Sequence, residues 1–276
     1  MSSRSVLTLT QRELLDALRN RWFIVYAAAF LVLCISLAAM IVNSAGYAGI
    51  SGFGRTAAGL INLVLFLAPL MGLTLGAQSL SAEREQGTLA YLLAQPVSLG
   101  EIFLAKFLGL AIAIAGAIAI GFSISSLAIM YWSGGAGVGI FLRLLPLTLL
   151  LGWTTLAIGF VISAVSDKTV SALGIGVVAW LLLVLIGDLG LMGASVAVSI
   201  SPGMLLTLTI VNPLESFRIA SILQLRNSIE LLGPSGLVAN DRFGDLTLWV
   251  LVGVMIVWLT GATMLAYVLA RRRELQ

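Results

Sequence analysis

A few side chains in this sequence could contact a soft metal ion. Met40, Met130, Met192 and Met204 fall near the ends of apolar runs or just beyond one, and Asp188 lies close to the end of another. Thioethers suit Cu(I), and a carboxylate inside a membrane span is a functional candidate by default. Methionine is also ordinary gap-filling packing, and Asp188 could simply be hydrated. The residues alone favour these plainer explanations and leave a copper contact as the alternative.

Composition excludes most other chemistry. The chain has no histidine, which removes His-ligated zinc and haem sites, His-based catalytic triads and HExxH proteases. Cys34 is the single cysteine, so no disulfide can form within the chain. The two lysines, Lys106 and Lys168, do not follow the glycines of a phosphate-binding loop, so ATP cannot bind in that way. The absence of a nucleophile–base pair argues against an enzyme.

A short polar stretch separates two long apolar runs. It begins at Ser81 with Ser-Ala-Glu-Arg-Glu-Gln-Gly-Thr and continues through Leu89, Leu92 and Leu93 to Pro96. The leucines have the i, i+3, i+4 spacing of one helix face. Proline ends the helix because it removes a hydrogen bond and clashes with the preceding turn. A short charged helix at a membrane edge is suited to docking on a partner in water.

Membrane helices must position these residues. The chain is 60% hydrophobic and 10% charged, whereas a soluble domain is about 45–50% apolar and about 25% charged. Several apolar runs exceed the roughly 18 residues that indicate a spanning helix. We therefore predict an all-α integral membrane protein that forms a single membrane domain over residues 1–276. Its six transmembrane helices are predicted at 22–43, 57–80, 102–130, 141–165, 170–191 and 247–270.

The N-terminal segment, 1–21, predicts an amphipathic helix that lies on the membrane surface. Leucines occupy one side, and Arg12 and Asp16 form an i,i+4 pair on another, worth only about 0.2–0.5 kcal/mol. Trp22 follows where an interfacial aromatic residue would lie. A solvated leader helix is the alternative.

The second predicted span carries residues that allow close helix packing. Ala68, Gly72 and Gly76 repeat at every fourth position around Pro69, and this small-xxx-small spacing lets another helix approach closely. Packing within the subunit is the favoured interpretation, and a contact between two copies is the alternative.

The segment 192–245 has a different character from the spans. Asn212, Pro213 and Glu215 have the form of a helix start, with asparagine as the N-cap and proline at the first helical position. Glu215 and Arg218 would each cost several kcal/mol at the bilayer centre. We therefore expect re-entrant or interfacial helices here, at the membrane interface or outside it.

Charge distribution predicts the orientation. Six spans put both termini on one side, and a cytoplasmic N-terminus places ten of the Lys and Arg residues inside and five outside. The positive-inside rule favours this arrangement. The polar stretch within 81–100 then lies in the cytoplasm, and 192–245 faces outward.

The polar stretch resembles the signature of type-2 ABC-transporter permeases. The match consists of Glu83 through Leu89, then Leu92-Leu93, then Pro96-Val97-Ser98, and Lys106 at the start of the next span. The family fold has an N-terminal interfacial helix, six spans with cytoplasmic ends, a cytoplasmic coupling helix between spans 2 and 3, and outer helices between spans 5 and 6. It fits nearly the whole chain and implies a bacterial inner-membrane location.

The resemblance implies an ATPase-coupling role for one set of residues. These are Glu83, Arg84, Glu85, Gly87, Thr88, Leu89, Leu92, Leu93 and Pro96. They would sit in a groove of a separate cytoplasmic ABC ATPase, and two permeases with two ATPases would form the core. ATP and Mg²⁺ would then bind to the partner subunit. This chain would be a transport subunit with no cofactor of its own.

Within that family, the chain is similar over its full length to permeases that serve copper-site assembly in a periplasmic nitrous oxide reductase. This implies a periplasmic partner resting on 192–245. The expected partner contacts are Met204, Asn212, Glu215, Arg218 and Arg226, and the candidate copper contacts are Met192, Met204 and Asp188. Copper would be transported or handed over. A type-2 exporter of a lipid, drug or other small hydrophobic molecule is the alternative, and a passive scaffold is a third hypothesis.

Overall fold

The computed structural model describes residues 3–44, 49–88, 98–133, 138–195, 211–224 and 246–274. These residues form eight helices and no strand. The helices are α1 (Ser3–Arg19), α2 (Arg21–Ser44), α3 (Gly49–Glu85), α4 (Leu99–Ser133), α5 (Val138–Val165), α6 (Thr169–Ser195), α7 (Pro213–Gln224) and α8 (Thr247–Glu274). All except α1 and α7 are long and apolar enough to cross a membrane. The prediction of an all-α chain with six spans is confirmed.

Helix α3 extends beyond the predicted second span into the polar stretch. A separate short helix was expected to begin at Ser81, but α3 continues without a break to Glu85. Ser81 is fully buried and its hydroxyl donates to the carbonyl of Ala77 at 2.8 Å. The helix ends at Gly87, whose φ of 71° is the left-handed conformation that glycine adopts without a Cβ penalty. Polarity alone did not stop the helix, because neighbouring helices satisfy these polar groups.

Helices α3 and α5 form the centre of the bundle. They make the most extensive contact between any two helices. A Cβ atom on Gly76 would lie 2.5 Å from the carbonyl oxygen of Leu156 and 2.9 Å from the Cα of Gly159, closer than real side chains approach. The small residues of α3 therefore serve packing within the subunit, as the favoured interpretation expected.

The other long helices surround this pair. Helix α1 packs on α4, where Gly109 lets the backbone of Leu14 come close, and α2 places Phe30 over Gly121 of α4. Helices α2, α6 and α8 leave most of their residues at least partly accessible, including many apolar side chains. Such a surface suits a lipid environment, because hydrocarbon tails are as apolar as leucine.

Helix α7 packs inside the bundle. Its start is as predicted: the side-chain oxygen of Asn212 accepts a hydrogen bond from the backbone N–H of Leu214 at 3.0 Å, as an N-cap does. The side-chain amide of Asn212 donates to the carbonyl of Leu183 at 2.7 Å. Leu183 is 14 positions beyond Thr169, where α6 begins, or about 21 Å along the helix. Helix α7 therefore begins beside the middle of α6, a helix that is long and apolar enough to cross a membrane.

Candidate functional site

One end of the bundle collects the residues of the predicted coupling motif. We call it the terminal end, because α1 and the last turn of α8 both lie there. It also holds the C-terminal end of α3, the start of α4 and the tight turn between α5 and α6. Ion pairs and hydrogen bonds between these elements place them together.

Lys106 is the centre of a buried ion cluster at this end. Its ammonium lies 2.8 Å from a carboxylate oxygen of Glu83 on α3 and 2.9 Å from one of Glu13 on α1. The lysine side chain is only 5% exposed. Removing one member of such a buried cluster leaves uncompensated charge, which typically costs about 3–5 kcal/mol. The cluster therefore fixes α1, α3 and α4 relative to one another.

Arg84 holds the end of α5. Its guanidinium donates to the carbonyl oxygens of Ser163 at 3.3 Å and Ser166 at 2.7 Å. The last carbonyls of a helix have no partner within the helix and carry partial negative charge, so a cation is favourable there. The hydroxyl of Ser163 in turn accepts from the backbone N–H groups of Leu80 and Ser81, each at 2.9 Å.

Glu85 holds the start of α6. Its carboxylate accepts a hydrogen bond from the backbone N–H of Thr169, the first residue of α6, at 2.9 Å. A carboxylate is favourable at a helix N-terminus, where N–H groups are unsatisfied and the helix dipole is positive. On the other side of the turn, Arg273 of α8 lies 3.1 Å from Asp167. The turn between α5 and α6 is thus held by α3 and α8 together.

Three consecutive residues at the end of α3 therefore contact three other helices. Glu83 pairs with Lys106 of α4, which in turn pairs with Glu13 of α1. Arg84 reaches α5, and Glu85 reaches α6. These charges make contacts within the chain, Glu85 is also exposed to solvent, and their predicted contact with a partner in water stays a prediction. A displacement of the end of α3 would be passed to each of those helices.

The remaining coupling residues lie at or beyond the end of the described α3 segment. The hydroxyl of Thr88 donates to the carbonyl of Glu83 at 3.2 Å, and Gly87 makes the turn that ends the helix. Leu89, Leu92, Leu93 and Pro96 lie outside the described residues. The docking surface that these leucines are expected to present to an ATPase therefore stays a prediction.

Sequence reasoning missed several residues of this end. Glu13, Thr169 and Arg273 complete the contacts described above, and no local pattern marks them as members of this end. A local signal did exist for the start of α4. Ser98 and Glu101 form a capping box, in which the backbone N–H of each contacts the side-chain oxygen of the other at 3.0 and 3.3 Å. The Ser-x-x-Glu spacing predicts such a start, three residues before the predicted span.

The opposite end contains the predicted partner contacts. Glu215 and Arg218 form an ion pair at 3.1 Å and line a cavity of about 320 Å³ between α3, α6 and α7. Asn212 is 2% exposed and Glu215 is 5% exposed. These two side chains are therefore enclosed by the bundle and do not face outward in this chain, and Asn212 joins α7 to α6. Met204 and Arg226 lie outside the described residues.

The candidate copper contacts also fall outside what the structure describes. The backbone at Asp188 and Met192 belongs to α6, but their side chains are not among the described ones, and Met204 is not described at all. Within the described part of the chain, no three His, Cys, Asp or Glu residues are grouped so as to hold a metal ion. The copper contacts stay a prediction.

Comparison with known proteins identifies the family. The family model described as ABC-2 family transporter protein matches residues 7–275. A protein from Stutzerimonas stutzeri named "Probable ABC transporter permease protein NosY" is 32% identical over 274 residues, covering 97% of this chain and 98% of that protein. A protein of the same name from Pseudomonas aeruginosa is 32% identical over 279 residues, covering 98% and 99%. The chain is a multi-pass membrane protein that belongs to the ABC-2 family of transporter permeases.

Proposed function

We propose that this chain couples ATP hydrolysis on a cytoplasmic ABC ATPase to a periplasmic protein during copper-site assembly of nitrous oxide reductase. The partners would be a NosF-like ATPase, a NosD-like periplasmic protein and a second copy of this chain. The full-length similarity to two proteins named NosY supports this assignment. ATP and Mg²⁺ would be bound by the ATPase subunit.

The observation that carries the proposal is the way the coupling motif joins the bundle. The ATPase would move the segment that follows Gly87, and that segment continues directly from α3. Glu83, Arg84 and Glu85 would then transmit the movement to α4, α5 and α6 through the contacts they make, and Lys106 would pass it on to α1. Leu89, Leu92 and Leu93 would provide the surface that docks on the ATPase.

The charge distribution supports the orientation. With the terminal end in the cytoplasm, ten Lys and Arg residues lie inside and five outside, in agreement with the positive-inside rule. The segment 192–245 then faces the periplasm of a bacterial inner membrane. Because Asn212 and Glu215 are buried in this chain, the periplasmic partner would rest on other parts of that segment, including Met204 and Arg226.

A deletion experiment tests the copper assignment. A strain that lacks this chain should make nitrous oxide reductase with reduced copper content, and the intact gene should restore it. Fully loaded reductase in the deletion strain would refute the assignment. ATP-driven transport of a lipid or drug by the purified complex would favour the exporter alternative.

A second experiment separates docking from internal transmission. Leu92→Glu with Leu93→Glu should prevent co-purification with the ATPase, since the variant would place charge on the proposed docking face. The Glu85→Gln variant should still co-purify with the ATPase but should support less copper loading of the reductase. Only the contact of this side chain with Thr169, which would pass the movement of α3 to α6, is weakened. Normal ATPase binding by the double-leucine variant would exclude this docking surface. If no ATPase co-purified with the parent chain, that result would instead favour the scaffold hypothesis.

The proposed copper contact needs its own test. Replacing Met192 and Met204 by leucine keeps apolar volume and removes the thioethers, which are the soft ligands that Cu(I) prefers. Copper loading of the reductase should fall, with Met40→Leu as the control. If the double variant matches the parent, these methionines act in packing.

A further inference from the structure

An apolar groove runs between α4 and α8 at the edge of the bundle. Its volume is about 970 Å³, at the upper end of the roughly 300–1,000 Å³ typical of small-molecule sites. The walls are mainly apolar and aromatic. They include Phe103, Phe107 and Leu108 from α4 and Leu259, Met264 and Tyr267 from α8. None of the proposed coupling residues lines the groove, so it is distinct from the site described above.

The groove has the length of one membrane leaflet. Along α4 its lining extends from Ser98 to Leu108, ten positions, or about 15 Å at the rise of an α-helix. Along α8 it extends from Leu259 to Arg271, twelve positions, or about 18 Å. Half of a hydrocarbon core of about 30 Å is about 15 Å. The groove therefore runs from the membrane surface at the terminal end to about the bilayer centre.

A charged residue lines the groove at its surface end, whereas the deeper threonines, Thr260 and Thr263, donate to carbonyls of their own helix. Arg271 lines it there, together with Ser98, while the deeper walls are mostly apolar. The next arginines are placed differently: Arg273 contacts Asp167 and the carbonyl of Ala164, and Arg272 does not line the groove. Basic pockets between membrane helices attract anionic lipid head groups. The groove thus combines an acyl-chain channel with a cation at its mouth.

We propose that the groove binds an anionic phospholipid of the leaflet at the terminal end. An acyl chain would lie along Phe107, Leu259 and Met264, and the phosphate would sit at Arg271. A two-fold dimer through this face fits less well. In such a dimer both copies place their Arg271–Arg273 runs at the same end of one interface, where like charges repel.

Lipid retention by the purified full-length chain tests this inference. The protein would be reconstituted with equal amounts of phosphatidylglycerol and phosphatidylethanolamine, extracted, and examined by native mass spectrometry. The parent should keep phosphatidylglycerol preferentially. Arg271→Gln should lower that retention about fivefold, the effect expected of one basic residue at a membrane surface. Arg272→Gln makes the same change in net charge outside the groove and should retain lipid as the parent does.

A second pair of variants tests the apolar part. Met264→Trp should fill the groove and lower retention of the lipid. Leu265→Trp adds the same bulk at the neighbouring exposed position, which does not line the groove, and should have no effect. Thermal unfolding of all four variants identifies any that simply fail to fold.

Three results would overturn the inference. Equal losses in Arg271→Gln and Arg272→Gln would indicate a general effect of surface charge. Equal retention of the two lipids by the parent would exclude head-group recognition. Efficient cross-linking of two copies through Met264→Cys, with lipid retention unchanged in Met264→Trp, would show that a second copy fills the groove.

Discussion

The two ends of the bundle place buried charge in different kinds of contact. At the terminal end, Lys106 on α4 pairs with Glu83 on α3 and with Glu13 on α1, which precedes it by 93 positions. At the opposite end, Glu215 pairs with Arg218 one turn later on the same helix. The first cluster joins three helices, and the Glu215–Arg218 pair joins two residues of α7.

This difference has a mechanical consequence. A cluster that joins α1, α3 and α4 resists their relative movement, so that a force on one is shared by the others. An i,i+3 pair travels with its helix and restrains that helix through packing and through Asn212, which contacts Leu183. We therefore expect loss of charge at the terminal end to loosen the whole bundle, and loss at the opposite end to act mainly on α7.

The largest effect is expected for Lys106→Met. It leaves Glu83 and Glu13 buried without the cation between them, which should lower the free energy of unfolding by about 3–5 kcal/mol. Unfolding by detergent titration in mixed micelles would measure it. Lys168→Met, at an exposed position, is the control and should change little. If the free energy of unfolding fell as little as in the control, the ion cluster would not stabilise the contact between α1, α3 and α4.

A smaller and more local effect is expected for Glu215→Gln. The variant keeps the shape of the side chain but loses the charge paired with Arg218, and hydrogen bonds to charged groups are worth about 1.5–3 kcal/mol. Hydrogen exchange should increase in α7 and remain unchanged in α1 and α4. Faster exchange at the terminal end as well would contradict the proposed separation of the two ends.

The seam between α3 and α5 connects the two ends and can be disturbed by one methyl group. Gly76→Ala would force a Cβ against the backbone of Leu156 and Gly159, and overpacking of this kind typically costs about 1–3 kcal/mol. Gly174→Ala adds the same atom on α6, where no neighbour lies within 4 Å, and should be neutral or slightly stabilising. Equal stability of the two variants would mean that α3 and α5 can move apart to accept the added methyl group at little energetic cost.

The smallest effect is expected for an exposed charge at the terminal end. Arg12 and Asp16 lie 3.7 Å apart with more than half of each side chain exposed. Asp16→Asn should lower the free energy of unfolding by only about 0.2–0.5 kcal/mol, and this loss should shrink in high salt. A loss as large as that of Lys106→Met would show that an exposed ion pair contributes as much to stability as the buried cluster does.

The spans could be predicted because their signal is local. A run of apolar residues long enough to cross a membrane can be read without knowing its neighbours, and all six predicted spans were found. The start of α7 was equally readable, since Asn212 caps the helix through atoms only two residues apart. The position of α7 within the bundle could not be predicted from the sequence, because it is set by packing against α5, α6 and α8.

The charged end of α3 shows the limit of sequence reasoning. Glu83, Arg84 and Glu85 stand out in the sequence because three charges follow an apolar run, but the contacts that they make within the chain were not predicted. Whether a charge faces outward depends on complementary groups that lie far away in sequence, here Lys106, Ser166 and Thr169. No local pattern joins those residues to α3.

By itself, the sequence determined an all-α membrane chain with six spans, the cap of α7, and a polar segment that interrupts the hydrocarbon-compatible runs. Hydropathy, capping and glycine conformation depend on residues that are close in sequence, so they can be predicted from the sequence alone. The tertiary structure alone decided that α3 and α5 form the centre and that three adjacent charges contact three other helices. Burial and ion pairing depend on distances across the bundle, which only the packed helices determine.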